Sequence, residues 1–203
     1  MSSKKKESKS PPPGRLKIQQ AILSLLEQKD FSDITASDIA KSANVTEGLL
    51  YKYFKNKKDL LYFIVQEMLE KYVERCDYDL KGIKGCLNKL RRIIWVHINA
   101  YATNGIYAKA LISARHTKEY YSHESYKVEK RWGDMLLNIL EEGVKAGEIL
   151  ESISLKTIRQ TIVGCIESTA FVMIMSGGEI LPDKLTDDLC DIVFNGIRIS
   201  DKS

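Results

Sequence analysis

The sequence has few of the residue types that build sites on their own. Its four cysteines, Cys76, Cys86, Cys165 and Cys190, are scattered along 203 residues. None forms a Cys-x-x-Cys pair, so neither a disulfide framework nor a metal knuckle is expected. Each reads as a small buried hydrophobe. The three histidines, His97, His116 and His123, lack ligand spacing with Asp, Glu or Cys, which leaves no candidate metal site. There is no glycine-rich phosphate loop and no nucleophile elbow. Adjacent Glu141 and Glu142 point in different directions on a helix. No catalytic residue and no cofactor are therefore expected. The opening "MSSKKKESKSPPPG" is basic but no apolar run follows it, which argues against a signal peptide. The longest apolar stretch, near "STAFVMIMSGG", reads as too short for a membrane span, with Glu167 just ahead of it. No membrane partner is expected, and a reducing cytoplasm suits the isolated thiols.

What the sequence does have is helical periodicity and an uneven charge. An apolar content of 44% is enough for a sizeable core. Met1–Leu60 holds 12 Lys plus Arg against 7 Asp plus Glu, a balance of +5, while the remainder holds 19 against 20, a balance of −1. The excess positive charge of the first third suits a polyanionic partner. Residues 1–14, rich in Lys, Ser and Pro, read as a flexible tail, because Pro11, Pro12 and Pro13 oppose a helix. That tail is either a disordered leader or a basic arm for phosphates or a minor groove. Residues 15–60 then form a first domain and 61–203 a second.

Ile18, Ala21, Ile22, Leu25 and Leu26 recur with the spacing of one helix face. A second helix starts near Ser37, with Thr35 or Ser37 as its N-cap, and a third, "EGLLYKYF", is capped by Thr46. Asn44 and Val45 connect them tightly, which makes a helix-turn-helix. Longer helices are expected over 58–75, 83–102, 106–115, 122–146, 155–175 and 185–199, with Gly147 ending one of them and Gly177, Gly178 and Pro182 separating the last two. No strand pair and no repeat appear. The fold class is all-α, with about nine helices.

In "ITASDIAKSANVTEGLLYKYFKNKKDLL" Leu50 and Phe54 point inward together. Gly48 and Tyr51 share the outer face, flanked by Leu49, Lys52 and Tyr53. Tyrosine hydroxyls and lysine ammoniums donate to phosphates. Gly48 lets a duplex approach the backbone, at a cost of about 1 kcal/mol in a helix interior. Thr46 and the free amides of the first turn can hold an anion. Lys57 adds positive charge, and Leu49 can press on a thymine methyl. The plainer alternative makes Tyr51 and Tyr53 half-buried packing residues and the lysines a solvated face.

The stretch "DIAKSANVTEGLLYKYF" followed by "KNKKDLL" resembles the DNA-binding domain of the TetR family of bacterial transcriptional regulators, over roughly Arg15 to Tyr62. The resemblance implies that Gly48 and Tyr51 touch bases or thymine methyls. It implies that Thr46, Lys52, Tyr53 and Lys57 touch phosphates, as Thr35 or Ser37 would at the preceding helix start. Glu47 either favours the positive helix end or selects against some operators. The stretch "ILEEGVKAGEIL" is similar to the end of a long helix in many members, fatty-acyl-responsive ones among them.

The last two helices carry apolar residues on more than one side, which calls for burial on two sides. Ile158, Ile162, Ile166, Leu189, Val193 and Ile197 are expected at the interface of a homodimer. The resemblance implies a four-helix bundle there, setting two recognition helices about 34 Å apart. The alternative is a monomeric core. Trp95, Ile98, Ala102, Leu111, Arg115, Trp132 and Met135 are expected to line a small-molecule pocket. Arg115 either pairs with an anionic effector or makes a surface salt bridge. The expected function is a ligand-responsive repressor, released from double-stranded operator DNA by a small, largely apolar effector. The helix over 58–75 would be the lever. The rival class is a helical small-molecule binding module, or an enzyme, without sequence-specific DNA binding.

Overall fold

The computed structural model describes residues 11–197. Among the described residues there are nine α-helices: α1 Pro13–Gln28, α2 Ala36–Ser42, α3 Glu47–Tyr53, α4 Lys57–Asp79, α5 Cys86–Thr103, α6 Gly105–Arg115, α7 Glu124–Lys145, α8 Leu155–Ser176 and α9 Pro182–Ile197. Single 3-10 turns at Phe31–Asp33 and Lys118–Ser122 were not foreseen. The chain divides into two compact units, one ending at Ile64 and the other starting at Val65. The division falls inside α4 rather than in a loop.

Most of the expected tail lies outside the described residues. Its last part is not extended, because Pro13 opens α1. At the first helical position a missing N–H is no loss and the fixed φ suits the turn. Pro182 opens α9 in the same way. In the first unit Ile18, Ile22, Ile34, Ile39 and Leu50 are fully buried where α1, α2 and α3 pack together.

In the second unit α5 packs on α6, α7, α8 and α9. α4 runs on past Arg75 to Asp79, whose carboxylate meets Arg75 at 2.8 Å and Arg92 at 2.6 Å. Burial opposes ionisation of Asp79, but the two guanidiniums outweigh it and lower its pKa. α5 begins at Cys86 rather than near Ile83, because Gly82 and Gly85 both take φ +82°. Its first amides, of Cys86 and Leu87, donate to the Glu148 carboxylate at 2.9 and 3.3 Å. Glu148 is delivered by the end of α7. There Gly147 adopts φ +71°, Gly147 N–H donates to Val144 C=O at 3.0 Å, and Glu148 N–H donates to Gly143 C=O at 2.8 Å. This is a Schellman ending. Most of "ILEEGVKAGEIL" is thereby explained: two glycines and a glutamate join the end of α7 to the start of α5.

α8 departs from the expectation of a short apolar stretch. With 22 residues it is, among the described residues, the one helix long and apolar enough to cross a membrane by length and composition. Its inner face is closed by Ile158, Ile162, Ile166 and Ala170, and its outer face leaves Val172 60% and Met175 56% exposed. Ile158, Ile162 and Ile166 on α8, and Leu189, Val193 and Ile197 on α9, are at most 8% exposed within the single chain. They belong to the subunit core and are not available to a partner, which corrects their assignment to an interface. Periodicity identified an apolar stripe but not which of two stripes turns inward.

Gly143 sits where α7 crosses the start of α5. A Cβ there would stand 2.5 Å from Cys86 Sγ and 2.8 Å from Ile149 Cδ1. Gly143→Ala is expected to destabilise the fold by about 1–3 kcal/mol through overpacking, and Cys86→Ala in the same chain should recover part of the loss. An unchanged urea midpoint in the single variant would refute the close packing.

Candidate DNA-binding surface and effector cavity

The helix-turn-helix is held by caps rather than by length, since α2 and α3 have seven residues each. Helices this short are unstable alone. Thr35 Oγ1 accepts the Asp38 N–H at 3.0 Å and the Asp38 carboxylate accepts the Thr35 N–H at 2.9 Å, a reciprocal capping box. Lys29 Nζ also reaches Asp38, at 2.9 Å. With Lys29 as the leading cause, the Asp38 carboxyl is held well below its usual range. α2 ends in a second Schellman motif. Asn44 N–H donates to Lys41 C=O and Val45 N–H to Ala40 C=O, both at 3.0 Å, with Asn44 at φ +52°. Asparagine tolerates that left-handed conformation better than most residues. Thr46 Oγ1 then accepts the Leu49 N–H at 3.2 Å and starts α3.

These constraints decide which side chains face outward. Tyr51 is 52% exposed, and Lys52, Gly48, Thr46 and Thr35 are also exposed, with Ser37 half-buried beside them. A hydroxyl that accepts a capping bond can still donate its own proton outward. Within 4 Å of a Cβ built on Gly48, only the Thr46 hydroxyl at 3.8 Å is found. The described residues thus give no packing reason for a glycine at this position.

Three assigned residues look elsewhere. Leu49 is half-buried against α1, 3.1 Å from where a Gly14 Cβ would stand, so it is packed rather than offered to a thymine methyl. The Tyr53 ring lies against the same glycine, at 3.6 Å, and is half-buried. Lys57 Nζ donates to the carbonyls of Phe31, Ser32 and Ile34 at 3.1, 3.1 and 2.7 Å, and lies 4.8 Å from the Phe31 ring centre. Its charge locks the turn before α2 instead of facing outward. Conversely, Lys41 on α2 and Lys55 just after α3 are exposed and were not singled out. The exposed end of "KNKK" was the available signal.

The second unit holds two cavities. The inner one, about 470 Å³ counting the open solvent at its mouth, lies among α4, α5, α6 and α7 and is walled by Met68, Leu69, Tyr72, His97, Leu111 and Trp132. The outer one, about 660 Å³ on the same count, is walled by α5, α6 and α8, including Ile112, Phe171 and Ile174. Tyr101, Ala108 and Arg115 line both. Arg115 pairs with Glu129 through Nη2 at 3.0 Å and with Glu167 through Nη1 at 2.6 Å. Tyr120 donates to Glu129 at 2.7 Å. Burial alone would depress the Arg115 pKa, but the two glutamates raise it.

Leu111, Arg115 and Trp132 thus line a cavity as expected from the sequence. Trp95, Ile98, Ala102 and Met135 do not. Trp95 donates to Asp183 at 2.7 Å under the Arg92 guanidinium, Ile98 is fully buried in the core, Ala102 is exposed, and Met135 is half-buried away from both cavities. The true α5 stripe is His97, Ala100 and Tyr101, continued by the capping Asn104, one helical step round from the expected one. Tyr72, His97, Tyr101 and Trp132 form a continuous aromatic cluster, with His97 edge-on to Trp132 at 4.5 Å. His97 Nδ1, Trp132 Nε1 and Tyr72 Oη are buried without a hydrogen-bond partner. The Tyr72 hydroxyl lies near Cys76 and Trp132 without closing a hydrogen bond to either.

Residues 18–62 match the family of bacterial regulatory proteins called tetR, and residues 65–196 match the carboxy-terminal region of YsiA-like proteins. The chain belongs to the TetR family. It is a ligand-responsive DNA-binding transcriptional regulator. Members of this family bind operator DNA and small-molecule effectors and act as dimers. The fatty acid metabolism regulator protein of Bacillus subtilis (strain 168) is 27% identical over 189 residues, covering 92% of this chain and 96% of that protein. The crystal structure of the transcriptional regulator FadR from Bacillus subtilis in complex with stearoyl-CoA superposes with a TM-score of 0.80 at 26% identity, covering 90% of this chain and 99% of that one. The fatty acid degradation regulator FadR from Bacillus halodurans shares the fold, with a TM-score of 0.82 at 22% identity over 95% of this chain and all (100%) of that one. These relatives are regulators rather than enzymes.

Burial, and secondarily Arg115, push the His97 pKa from 6.5 down to about 3, so His97 is neutral at physiological pH. Unfolding below pH 6.5 then takes up a proton that the folded state does not hold, and stability is lost as pH falls from 6.5 towards 3. This one group contributes a slope of about 1.4 kcal/mol per pH unit. His97→Gln should remove that part of the slope in urea unfolding measured at several pH values. Parallel profiles for the two proteins would show that His97 titrates normally.

Proposed function

We propose that this protein is a cytoplasmic homodimeric repressor without enzymatic activity, released from its operator when a long-chain acyl-CoA thioester enters the cavities of the second unit. The observation that carries the reading is the apolar, aromatic-walled interior next to a larger second chamber. Together they suit a flexible hydrocarbon chain better than a compact polar effector. The relative of known structure that holds stearoyl-CoA supports the same ligand class. Thr35, Ser37, Thr46, Gly48, Tyr51 and Lys52 form the DNA-contacting set, with Tyr51 and Lys52 donating to the duplex and Gly48 giving it room.

The dimer is supported by the outer apolar stripes that the fold leaves uncovered. Val172 and Met175 on α8 and Ile192 on α9 are 60%, 56% and 68% exposed. Adjacent Gly164 and Gly196 would meet nothing within 4 Å if given a Cβ. Large apolar groups exposed in this number need cover. A second copy offers the same stripes in self-complementary form. The apolar character of α8 is accounted for in this way without a membrane.

The effector acts only through its differential affinity for the DNA-competent and DNA-incompetent states. Stearoyl-CoA should therefore weaken operator binding in a gel-shift assay, whereas coenzyme A alone should not. Tyr51→Ala should weaken operator binding by about tenfold or more, a loss in the range of a good groove contact, with the dimer and helix content unchanged. Gly48→Ala should weaken DNA binding while raising thermal stability slightly, because alanine is the better helix former. Operator affinity unmoved by stearoyl-CoA or by Tyr51→Ala would overturn the corresponding part of the reading.

A further inference from the structure

Arg115 is the cation where the two cavities meet, and its charge is already paired. Nε and Nη2 engage Glu129 at 3.3 and 3.0 Å, Nη1 engages Glu167 at 2.6 Å, and Tyr120 fixes Glu129 in place at 2.7 Å. The cluster counts one guanidinium against two carboxylates, a formal charge of −1. The other ionisable groups on the cavity walls are Tyr72, Tyr101, His97 and His116. His97 is neutral, and His116 is exposed at the end of α6. An anionic head group entering here finds no unoccupied arginine, and must either displace a glutamate or sit beside one. A neutral carbonyl oxygen meets no such repulsion, because it carries no net charge for the two carboxylates to oppose.

We infer that Glu129 and Glu167 are specificity-determining residues that make the cavity reject carboxylate ligands and admit neutral acyl esters and thioesters. This rests on the acyl-ligand reading above. The site so defined distinguishes an activated acyl group from the free acid of the same chain length. It does so by withholding Arg115, not by adding a contact. A regulator built this way reports the product of acyl activation, the class of reaction that converts a carboxylate into a thioester.

The test compares dodecanoate, methyl dodecanoate and dodecanoyl-CoA as ligands of the full-length protein by calorimetry, at a pH above the carboxylate range. The wild type should bind the methyl ester about tenfold or more tightly than the acid, the scale of one unfavourable charge contact at a partly buried site. Glu167→Gln leaves Arg115 one carboxylate short and should narrow that ratio by tightening the acid, with the ester little changed. Glu129→Gln should narrow it in the same direction and serves as the second variant. Equal affinity of acid and ester in the wild type, or a ratio that neither variant changes, overturns the inference while leaving the acyl reading standing. Failure of all three ligands and of stearoyl-CoA to bind the wild type overturns both.

Discussion

A helix enclosed by its neighbours is the constraint on which the second unit depends. α5 packs against α6, α7, α8 and α9, and eight of its residues from Cys86 to Tyr101 are buried. Such a helix cannot shift without disturbing every neighbour, because packed interiors are close to crystalline density. Its ends are correspondingly well anchored. Glu148 satisfies the first amides, and Arg92 ties its second turn to the last turn of α4. A cavity beside so fixed a helix is a deliberate gap in the packing. The polar atoms left unpaired around His97, Tyr72 and Trp132 belong to that gap's wall. Unpaired buried groups of this kind are uncommon in settled cores.

The first unit solves a different problem. Two seven-residue helices have to present one face to a partner while gaining little from their own length. Caps at Thr35 and Thr46, a left-handed asparagine between the helices and the Lys57 ammonium on three carbonyls supply the rigidity. Because Leu50 and Phe54 fill the interior, Tyr51 and Lys52 are left outside. The same lysine chemistry therefore does two jobs within a few residues. Lys57 is structural, and Lys52 is offered outward.

Regulation in the proposed scheme joins head-group charge to a hydrocarbon chain. Apolar walls select a hydrocarbon, and a neutralised arginine selects what the hydrocarbon is attached to. Val172 and Met175 on α8 and Ile192 on α9 are left for a second copy, so α8 turns one face to the ligand and another to the partner.

Local sequence determined a good deal. Helical periodicity, threonine caps and the Gly147 ending located most helices to within a few residues, and the "TEGLLYKYF" pattern identified the outward tyrosine and glycine. These features are decided by neighbours three or four residues apart, which a sequence displays directly. Tertiary structure alone decided the rest. It placed Ile158, Ile162, Ile166, Leu189, Val193 and Ile197 inside the subunit, turned α5 so that His97 and Tyr101 rather than Trp95, Ile98 and Ala102 meet the cavity, and brought Glu129 and Glu167 to Arg115 across separations of 14 and 52 residues. A helix apolar on two sides has no inner face until its neighbours assign one. An arginine has no partners until distant turns converge on it.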